Sequence, residues 1–364
     1  SSYGYEGPAY FAPVGEAFRE IPTFGRSNAF SIIGDEARAV RDRVGVVDIS
    51  SGSKYLVHGP EAEAFLRRVI ASPLPAPGRS VSALMLAATG KMLGDVTVTR
   101  LADGRWLLTA AVYMQAIYLR WFGQHAAGLA VTIENVSEQF GALSVIGPNA
   151  PAVIDALTSR YRIGSTLAAG ATADAAVGYA PCHVIASGTT GEAGFELYTP
   201  AAYLYGLYEQ VLAAGAAFGI RDVGIRALGS LAMEHAPGAT LREISQDHTV
   251  AECGYDHLLD RGRDDYIGRA GALASLAETP RYRLVGLRVE TKTADPVGEE
   301  PVWLGDSYVG YTSSGAYGHT VGYALAMAFL DAAGLADGAA LEVTLLGERC
   351  PARVVAIPFP KDGA

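Results

Sequence analysis

The most regular feature of the hydrophobic pattern is a strand-to-helix corner that occurs twice. Residues 54–58 and 142–146 read as strands, each is followed by Gly-Pro, and apolar residues at helical spacing come next. A proline in the first helical turn lacks only an N–H that would have no intrahelical partner, so Gly-Pro suits this corner. The pattern predicts two strand-helix units related by an internal repeat, although a common corner met twice by chance would look the same.

Each corner is followed by further strands and a helix. After the first, residues 92–101 and 106–110 read as a hairpin closed on Asp103-Gly104, with a helix over 113–125. After the second come a strand over 178–187, a turn, a strand over 195–198 and helices over 201–217 and 221–235. The pattern predicts an α+β fold built from β-α-β-β units.

Beyond Pro280 the pattern becomes all-β. A connecting helix is predicted over 267–278, and strand-like runs separated by Gly, Asp and Pro follow at 284–289, 302–304, 308–312, 321–326 and 341–345. These runs predict a small β-barrel or jelly roll. We therefore expect the domains to be 1–53 with 138–250, then 54–137, a connector over 251–280, and a barrel over 281–364.

Composition narrows the class of protein. The chain has 364 residues, 50% of them hydrophobic, with a mean hydropathy of +0.19, so it can bury a large core. A net charge of −10 and a pI near 5.2 argue against nucleic acid or an anionic membrane as the main partner. With no run of about 18 apolar residues and no signal-peptide pattern, we expect a cytoplasmic protein.

The cysteines and histidines give no sign of a disulfide framework or a metal site. Cys182, Cys253 and Cys350 are few and far apart, which fits reduced thiols, and the histidines lack metal-ligand spacing, so we expect no metal. Neither Gly-x-Gly-x-x-Gly after an early strand nor a P-loop occurs. A phosphate-cradling loop is therefore not expected.

Residues 191–196, Gly-Glu-Ala-Gly-Phe-Glu, place two carboxylates around paired glycines at the start of a strand. Glycine accepts positive φ, so this turn could aim Glu192 into a cleft, where a carboxylate suits a planar N–H edge. A hairpin turn with a solvated acid explains the hexapeptide as well. The two interpretations stay open on these residues alone.

Asp95 is the acid we expect to carry chemistry, because it lies in an apolar strand and directly follows Gly94, which would leave space for a ligand. Burial would raise its pKa, and a substrate cation would lower it again. On spacing alone, the exposed face of an edge strand is the favoured explanation. Two further groups could form a binding surface: the helical face of Arg226, Ser230 and Glu234, and a polar loop over 311–320 that carries Tyr317 and His319.

Taken together, these segments resemble the folate-binding aminomethyltransferase family, that is, the glycine cleavage T-protein and the folate halves of dimethylglycine and sarcosine dehydrogenases. The similarity covers nearly the whole chain, is strongest to the dehydrogenase folate halves, and lies in residues 4–6 with 11–13, 24–26, 36–41, 45–50, 90–98, 191–196, 265–269 and 311–322. Each motif is weak alone, and their combination is specific.

The resemblance implies a three-domain cloverleaf with tetrahydrofolate in a central channel. It makes Glu192 the residue that grips the pterin and Asp95 the acid near the one-carbon donor, which it would position and stabilise in cationic form. The resemblance also implies the further cofactor-binding residues Arg226, Tyr311, Tyr317 and Met85.

The sequence departs from the family at several positions that could choose the substrate. Tyr10 and Ala29 stand where tryptophans are usual, Gly229 and Ala232 replace an Asp and an Arg, and Ser82 and Thr189 replace tyrosines. The Lys-Gly-Cys-Tyr-x-Gly-Gln-Glu signature of the iron–sulfur assembly branch is absent. We therefore expect the protein to be an enzyme rather than a non-catalytic helper, with a substrate pocket that differs from that of the family.

Three functions remain open at this point. The preferred one moves a methyl group between a small N-, O- or S-methyl substrate and tetrahydrofolate. The second captures a formaldehyde-level iminium from a separate amine oxidase and gives 5,10-methylenetetrahydrofolate. The third is a folate-binding subunit of an oxidase complex without its own turnover.

Overall fold

The computed structural model describes residues 6–13, 15, 18–158, 160–188, 190–235, 243–332 and 339–360, and this part of the chain forms three β-sheets. The first sheet has the order β11-β1-β7-β10-β9-β8. Its strands are β1 Gly45–Asp48, β7 Phe140–Ile146, β8 Thr172–Val177, β9 Ala180–Ala186, β10 Gly194–Pro200 and β11 Arg221–Asp222.

The second sheet has the order β3-β4-β5-β2-β6, and the third is a closed barrel in the order β12-β15-β14-β13-β16-β17. The strands of the second sheet are β2 Ser53–His58, β3 Arg79–Leu86, β4 Met92–Arg100, β5 Trp106–Ala110 and β6 Thr132–Asn135. The barrel strands are β12 Tyr282–Val289, β13 Pro301–Leu304, β14 Ser307–Gly318, β15 Tyr323–Asp331, β16 Leu341–Leu345 and β17 Glu348–Val355.

Helices connect and cover the sheets. The α-helices are α1 Phe30–Asp42, α2 Ala62–Val69, α3 Gln115–Ala126, α4 Ala150–Leu157, α5 Ile163–Thr166, α6 Leu204–Gly215, α7 Ile225–His235, α8 Val250–Cys253 and α9 Arg269–Ala277. Short 3₁₀ turns lie at Val112–Met114, Ala201–Tyr203, Ala216–Phe218 and Asp256–Leu258. Within the described ranges, no helix combines the length and apolar character that crossing a bilayer would require.

Each sheet packs on its own hydrophobic core, which explains why the apolar pattern repeats. In the second sheet, Phe65 of α2 and Phe122 of α3 are fully buried against Trp106 of β5. In the first, Val153 and Ile154 of α4 lie in the core beneath β7 and β10. The predicted α+β class with a C-terminal barrel is therefore confirmed, whereas the domain boundaries remain a prediction.

The two strand-to-helix corners have the same backbone shape. Gly59 and Gly147 have φ of +116° and +132°, and a Cβ on either would lie 2.6 Å from a carbonyl oxygen. Glycine is therefore required at both corners. Pro60 and Pro148 lie in the turn before each helix rather than in its first helical turn, since α2 and α4 begin two residues later.

Two predicted elements are corrected by the structure. Residues 221–222 are the strand β11, parallel to β1, and not the start of a helix. Residues 311–318, predicted as a loop, continue strand β14 and pair with β15 as far as Gly318 and Tyr323, with an irregularity between Thr312 and Ser314. Their serines and glycines suggested a loop, but the closed barrel supplies a partner strand along this segment.

Candidate active site

Three carboxylates from two different sheets, Asp48, Asp95 and Glu196, line one cavity of about 680 Å³, which we call the Asp95 cavity. Asp95 comes from β4 of the second sheet and Glu196 from β10 of the first, and α7 closes one wall. Because neither β4 nor β10 is an edge strand, the alternative of a solvated edge for Asp95 does not hold. The volume is within the range of sites that bind small molecules.

The carboxyl group of Asp95 is half-buried, and its burial raises the pKa to about 6, while a hydrogen bond to its own backbone N–H acts in the opposite sense. Burial first, and the Asp95 charge second, raise the pKa of the nearby Tyr113 above its ordinary value. An acid with a pKa near neutrality can hold or release a proton at physiological pH. Asp95 therefore has the properties of an acid–base residue.

Tyr118 holds the strand at Asp95. Its hydroxyl donates to the Asp95 carbonyl oxygen at 2.9 Å, and a Cβ on Gly94 would lie 2.0 Å from that hydroxyl. The space that the sequence suggested for a ligand at Gly94 is thus filled by Tyr118. Gly94 lets a buried tyrosine fix the backbone from which Asp95 projects.

Phe195 and Leu197, the neighbours of Glu196 in β10, face the core of the first sheet, so Glu196 faces the opposite side of the strand. The Tyr198 hydroxyl donates to Glu196 Oε2 at 2.7 Å. Burial raises the pKa of Glu196, against hydrogen bonds from Tyr198 and Ser187 that lower it. A carboxylate held in this way inside a cavity can accept from an N–H edge of a ligand.

Lys54 forms part of the cavity rim, yet it does not present its charge to the cavity. Its ammonium is buried and donates to the carbonyl oxygens of Ser50, Gly52 and Ser137 at 2.7, 2.7 and 3.3 Å. Burial lowers its pKa to about 8, and Asp48 acts in the opposite sense. Lys54 therefore positions the loop that lines the cavity.

The α7 wall of the Asp95 cavity consists of Ile225, Leu228, Gly229 and Ala232. It carries no charged side chain, because Gly229 and Ala232 stand where the family that this sequence resembles usually has an Asp and an Arg. A Cβ on Gly229 would meet no atom within 4 Å. The two departures noted in the sequence thus face the cavity and leave open, uncharged space there.

Glu192 is not among the described residues that line the Asp95 cavity. Its Oε1 accepts from Arg41 Nη1 at 2.5 Å, and Arg41 Nη2 donates to Glu234 Oε2 at 3.1 Å. Glu234 is almost fully buried and also accepts from the backbone N–H and the hydroxyl of Thr320. The turn therefore joins α1, α7 and the barrel, and the role of Glu192 as pterin anchor stays a prediction that this geometry does not support.

The other predicted cofactor residues lie elsewhere. Arg226 pairs with Glu20 at 2.6 Å and lines a separate cavity. Tyr311 and Tyr317 line two further cavities in the barrel, and Tyr317 lies under the Arg26 guanidinium at 4.2 Å rather than in a free loop. Met85 is fully buried in the core of the second sheet, and its role toward the cofactor stays a prediction.

Several positions noted in the sequence lie outside the cavity or outside the described residues. Ser82 is exposed on β3 opposite Thr97, and Thr189 is not within the described ranges. In the part of the chain that the structure describes, no group of three His, Cys, Asp or Glu residues could hold a metal ion.

Sequence reasoning missed Glu196, Tyr198 and Lys54. The signal for Glu196 was present, since an acid flanked by Phe195 and Leu197 has the same alternation that drew attention to Asp95. Glu192 and Glu196 are four residues apart, but only Glu196 lies in β10, paired between β7 and β9, whereas Glu192 lies in the turn before that strand.

Comparison with known proteins gives matches along almost the whole chain. Residues 1–262 match the family model of the GCVT N-terminal domain, and residues 283–361 match that of the glycine cleavage T-protein C-terminal barrel domain. The fold is similar to that of a crystal structure of glycine cleavage system aminomethyltransferase T from Bartonella henselae, with a TM-score of 0.81, 22% identity and 94% of each chain covered.

Curated relatives include two kinds of enzyme. The chain is 32% identical to the mitochondrial dimethylglycine dehydrogenase of Mus musculus over 98% of its own length and 41% of that protein. It is 30% identical to an aminomethyltransferase of Corynebacterium aurimucosum, with 90% of each chain covered. The chain thus spans about two fifths of the length of the dehydrogenase relatives that it matches.

Proposed function

Because this chain belongs to the glycine cleavage T-protein family, we propose that it is a tetrahydrofolate-dependent one-carbon transferase that moves a methyl group between a small methylated substrate and tetrahydrofolate. The observation that carries the proposal is the convergence of Asp95 and Glu196, from two sheets, on one cavity.

The residues of the Asp95 cavity fit a reduced folate. Glu196 would accept from the pterin amino and ring N–H groups, and each hydrogen bond to a charged group contributes on the order of 1.5 to 3 kcal/mol. The apolar α7 wall offers a surface for flat rings, since Leu228 and Ala232 line it. When bound, tetrahydrofolate supplies the nitrogen that accepts or gives the one-carbon unit.

Asp95 would act on the methylated substrate. In its ionised form it stabilises positive charge on a methylated heteroatom, and with a pKa of about 6 it can also take up or return a proton at its carboxylate oxygen. Tyr118 fixes the backbone of Asp95, so the carboxylate needs little reorganisation when charge develops. The chain contributes orientation and electrostatics rather than a covalent nucleophile.

The charges around the cavity favour a neutral or cationic methyl donor. Asp48, Asp95 and Glu196 contribute carboxylates, while the described lining has one cation, Lys54, whose ammonium is used by backbone carbonyls. An anionic donor would meet repulsion without a compensating base. Methylated amines, sulfonium compounds and neutral methoxy compounds are the donor classes that fit.

A second candidate is capture of an iminium or formaldehyde unit from a partner amine oxidase to give 5,10-methylenetetrahydrofolate. It is favoured by the similarity of the chain to the mitochondrial dimethylglycine dehydrogenase of Mus musculus. An amine oxidase would then be the partner. Both candidates place the folate in the Asp95 cavity, and the oxidation level of the folate product separates them. A folate-binding subunit without turnover is the third alternative, and Asp95 argues against it.

Calorimetric titration with tetrahydrofolate under anaerobic conditions tests the folate site. We expect Glu196→Gln to weaken binding about tenfold or more, because the amide offers one acceptor oxygen and no charge. Glu192→Gln is the matched control, since it makes the same change four residues away at Arg41. Equal affinity of Glu196→Gln and wild type, or a loss confined to Glu192→Gln, would contradict the assignment.

A further inference from the structure

A second cavity, of about 310 Å³, lies between the 245–248 segment and the barrel, and we call it the Tyr311 cavity. Its wall includes Asp247, His248, Glu299, Tyr308 and Tyr311. It shares no lining residue with the Asp95 cavity in the described part of the chain. Its chemistry can therefore be considered separately.

His248 is the most constrained side chain of this cavity. It is 4% exposed and stacks on Phe329 with ring centroids 3.5 Å apart. Its Nε2 lies 3.0 Å from the Tyr311 hydroxyl, whereas its Nδ1 has no hydrogen-bond partner among the described residues, the nearest carboxylate being Glu252 at 3.8 Å. The Nδ1 atom is enclosed by protein, so the contact that bears on the cavity is the one at Nε2, which holds the Tyr311 hydroxyl at the cavity wall.

The loop that carries Glu299 holds this residue in a strained conformation. Glu299 has φ of +67°, which is uncommon for a residue with a side chain, and its N–H donates to the Thr312 carbonyl oxygen at 2.6 Å. The neighbouring Glu300 accepts from the N–H groups of Val297 and Gly298 and so fixes the loop. Glu300 thus makes the hydrogen bonds that fix the loop, and the exposed Glu299 carboxylate lines the cavity.

The other residues that line the cavity favour a cation that also has an apolar surface. Two carboxylates, Asp247 and Glu299, line the cavity with the two tyrosine rings, and no lysine or arginine does so among the described residues. Two bases lie close to the cavity without lining it: Lys91 donates to the Asp247 backbone oxygen, and Arg281 lies over Tyr282. Aromatic faces beside carboxylates are typical of sites for methylated ammonium groups.

We propose that the Tyr311 cavity binds a small organic ammonium ion, with its charge facing Glu299 and Asp247 and its alkyl groups against Tyr308 and Tyr311. A metal ion fits less well, because no three metal-ligating side chains come together within the described ranges. This site is independent of the folate proposal, since its test needs neither folate nor turnover.

The probe is tetramethylammonium, titrated against the whole chain by ligand-observed NMR at constant ionic strength, with tert-butanol as a neutral molecule of similar shape. We expect tetramethylammonium to bind and tert-butanol to bind much more weakly. Glu299→Gln and Tyr308→Leu should each weaken tetramethylammonium binding about five- to tenfold, since one removes the charge and the other the aromatic face. Tyr308 is 55% exposed, so its substitution should not disturb folding.

Two controls make the test specific. Asp306→Asn removes the same charge from a fully exposed carboxylate in the β13–β14 turn of the same barrel, and binding should stay within about twofold of wild type. Asp95→Asn removes a carboxylate of the Asp95 cavity, which under the proposed function also takes a methylated ammonium ion, and the losses caused by Glu299→Gln and Tyr308→Leu should persist in this background. The proposal is overturned if tetramethylammonium does not bind, if tert-butanol binds equally well, or if only Asp95→Asn weakens binding.

Discussion

Replacing Asp95 by asparagine should stabilise the protein at high pH while it removes activity. Burial raises the pKa of Asp95 from 3.8 to about 6, so the folded state favours the neutral acid. Because each pKa unit corresponds to about 1.4 kcal/mol, the ionised carboxylate costs the folded state about 3 kcal/mol once the pH is well above 6. Asparagine has nearly the same shape and carries no such cost.

The sign of the pH dependence follows from the raised pKa. Below about pH 4 the acid is protonated in both folded and unfolded chains, and its contribution is neutral. Between about pH 4 and pH 6 the unfolded chain ionises while the folded protein keeps its proton, so the free energy of unfolding falls across this range and levels off above pH 6. The free energy of unfolding of Asp95→Asn minus that of wild type should therefore increase by about 2.5 kcal/mol between pH 4 and pH 8.

Urea unfolding of both proteins at intervals of one pH unit measures this difference, and effects of all other groups cancel in it. Asp306→Asn, a charge removal at a fully exposed carboxylate, should stay within about 0.5 kcal/mol of wild type at each pH. A difference for Asp95→Asn that is flat with pH, or that grows as the pH falls, would refute the account of Asp95 as a half-buried, poised acid.

Three further predictions concern the surroundings of the site. Arg41→Met should lower the free energy of unfolding by about 3 kcal/mol in denaturant titration, because it leaves the buried Glu234 without its cation. Unchanged stability would mean that the ion pairs of Arg41 do not stabilise the fold. Gly94→Ala should destabilise the chain, because the added Cβ would lie 2.0 Å from the Tyr118 hydroxyl. Adding Tyr118→Phe should restore part of the lost stability, measured as the denaturation midpoint; if it restores none, the strain lies elsewhere. Gly229→Asp should leave the thermal midpoint unchanged and alter the choice of methyl donor in competition assays, because a Cβ there meets no atom; equal donor ratios would contradict its place on the substrate wall.

Much of the fold could be predicted because its local signals agree with its tertiary structure. The two Gly-Pro corners mark real strand-to-helix turns, and the Asp103-Gly104 hairpin pairs as expected, with Thr97 opposite Thr109. The loop predicted over 311–320 was wrong because closure of the barrel is not a local property. A strand rich in serine and glycine is stabilised by its neighbours rather than by its own propensity.

The candidate site was only partly predictable, for the same reason. Asp95 was singled out from its place in an apolar strand, and Glu192, which stays a predicted pterin anchor, binds Arg41 across 151 residues of sequence. That contact, and the pairing of Arg41 with Glu234 across 193 residues, are long-range and leave no trace in a local motif. Glu196 shares the cavity with Asp95 because the first and second sheets pack against each other, which is a long-range property as well.

The most direct test of the central claim is the mass of the folate product. The protein is incubated with tetrahydrofolate and a panel of methylated amines, methoxyaromatics and sulfonium compounds, and the folates are identified by mass spectrometry. The account predicts 5-methyltetrahydrofolate with at least one donor, a rate lower by about 10² or more in Asp95→Asn, and loss of folate affinity in Glu196→Gln. The absence of any one-carbon folate across the panel, or turnover that survives both substitutions, would contradict it.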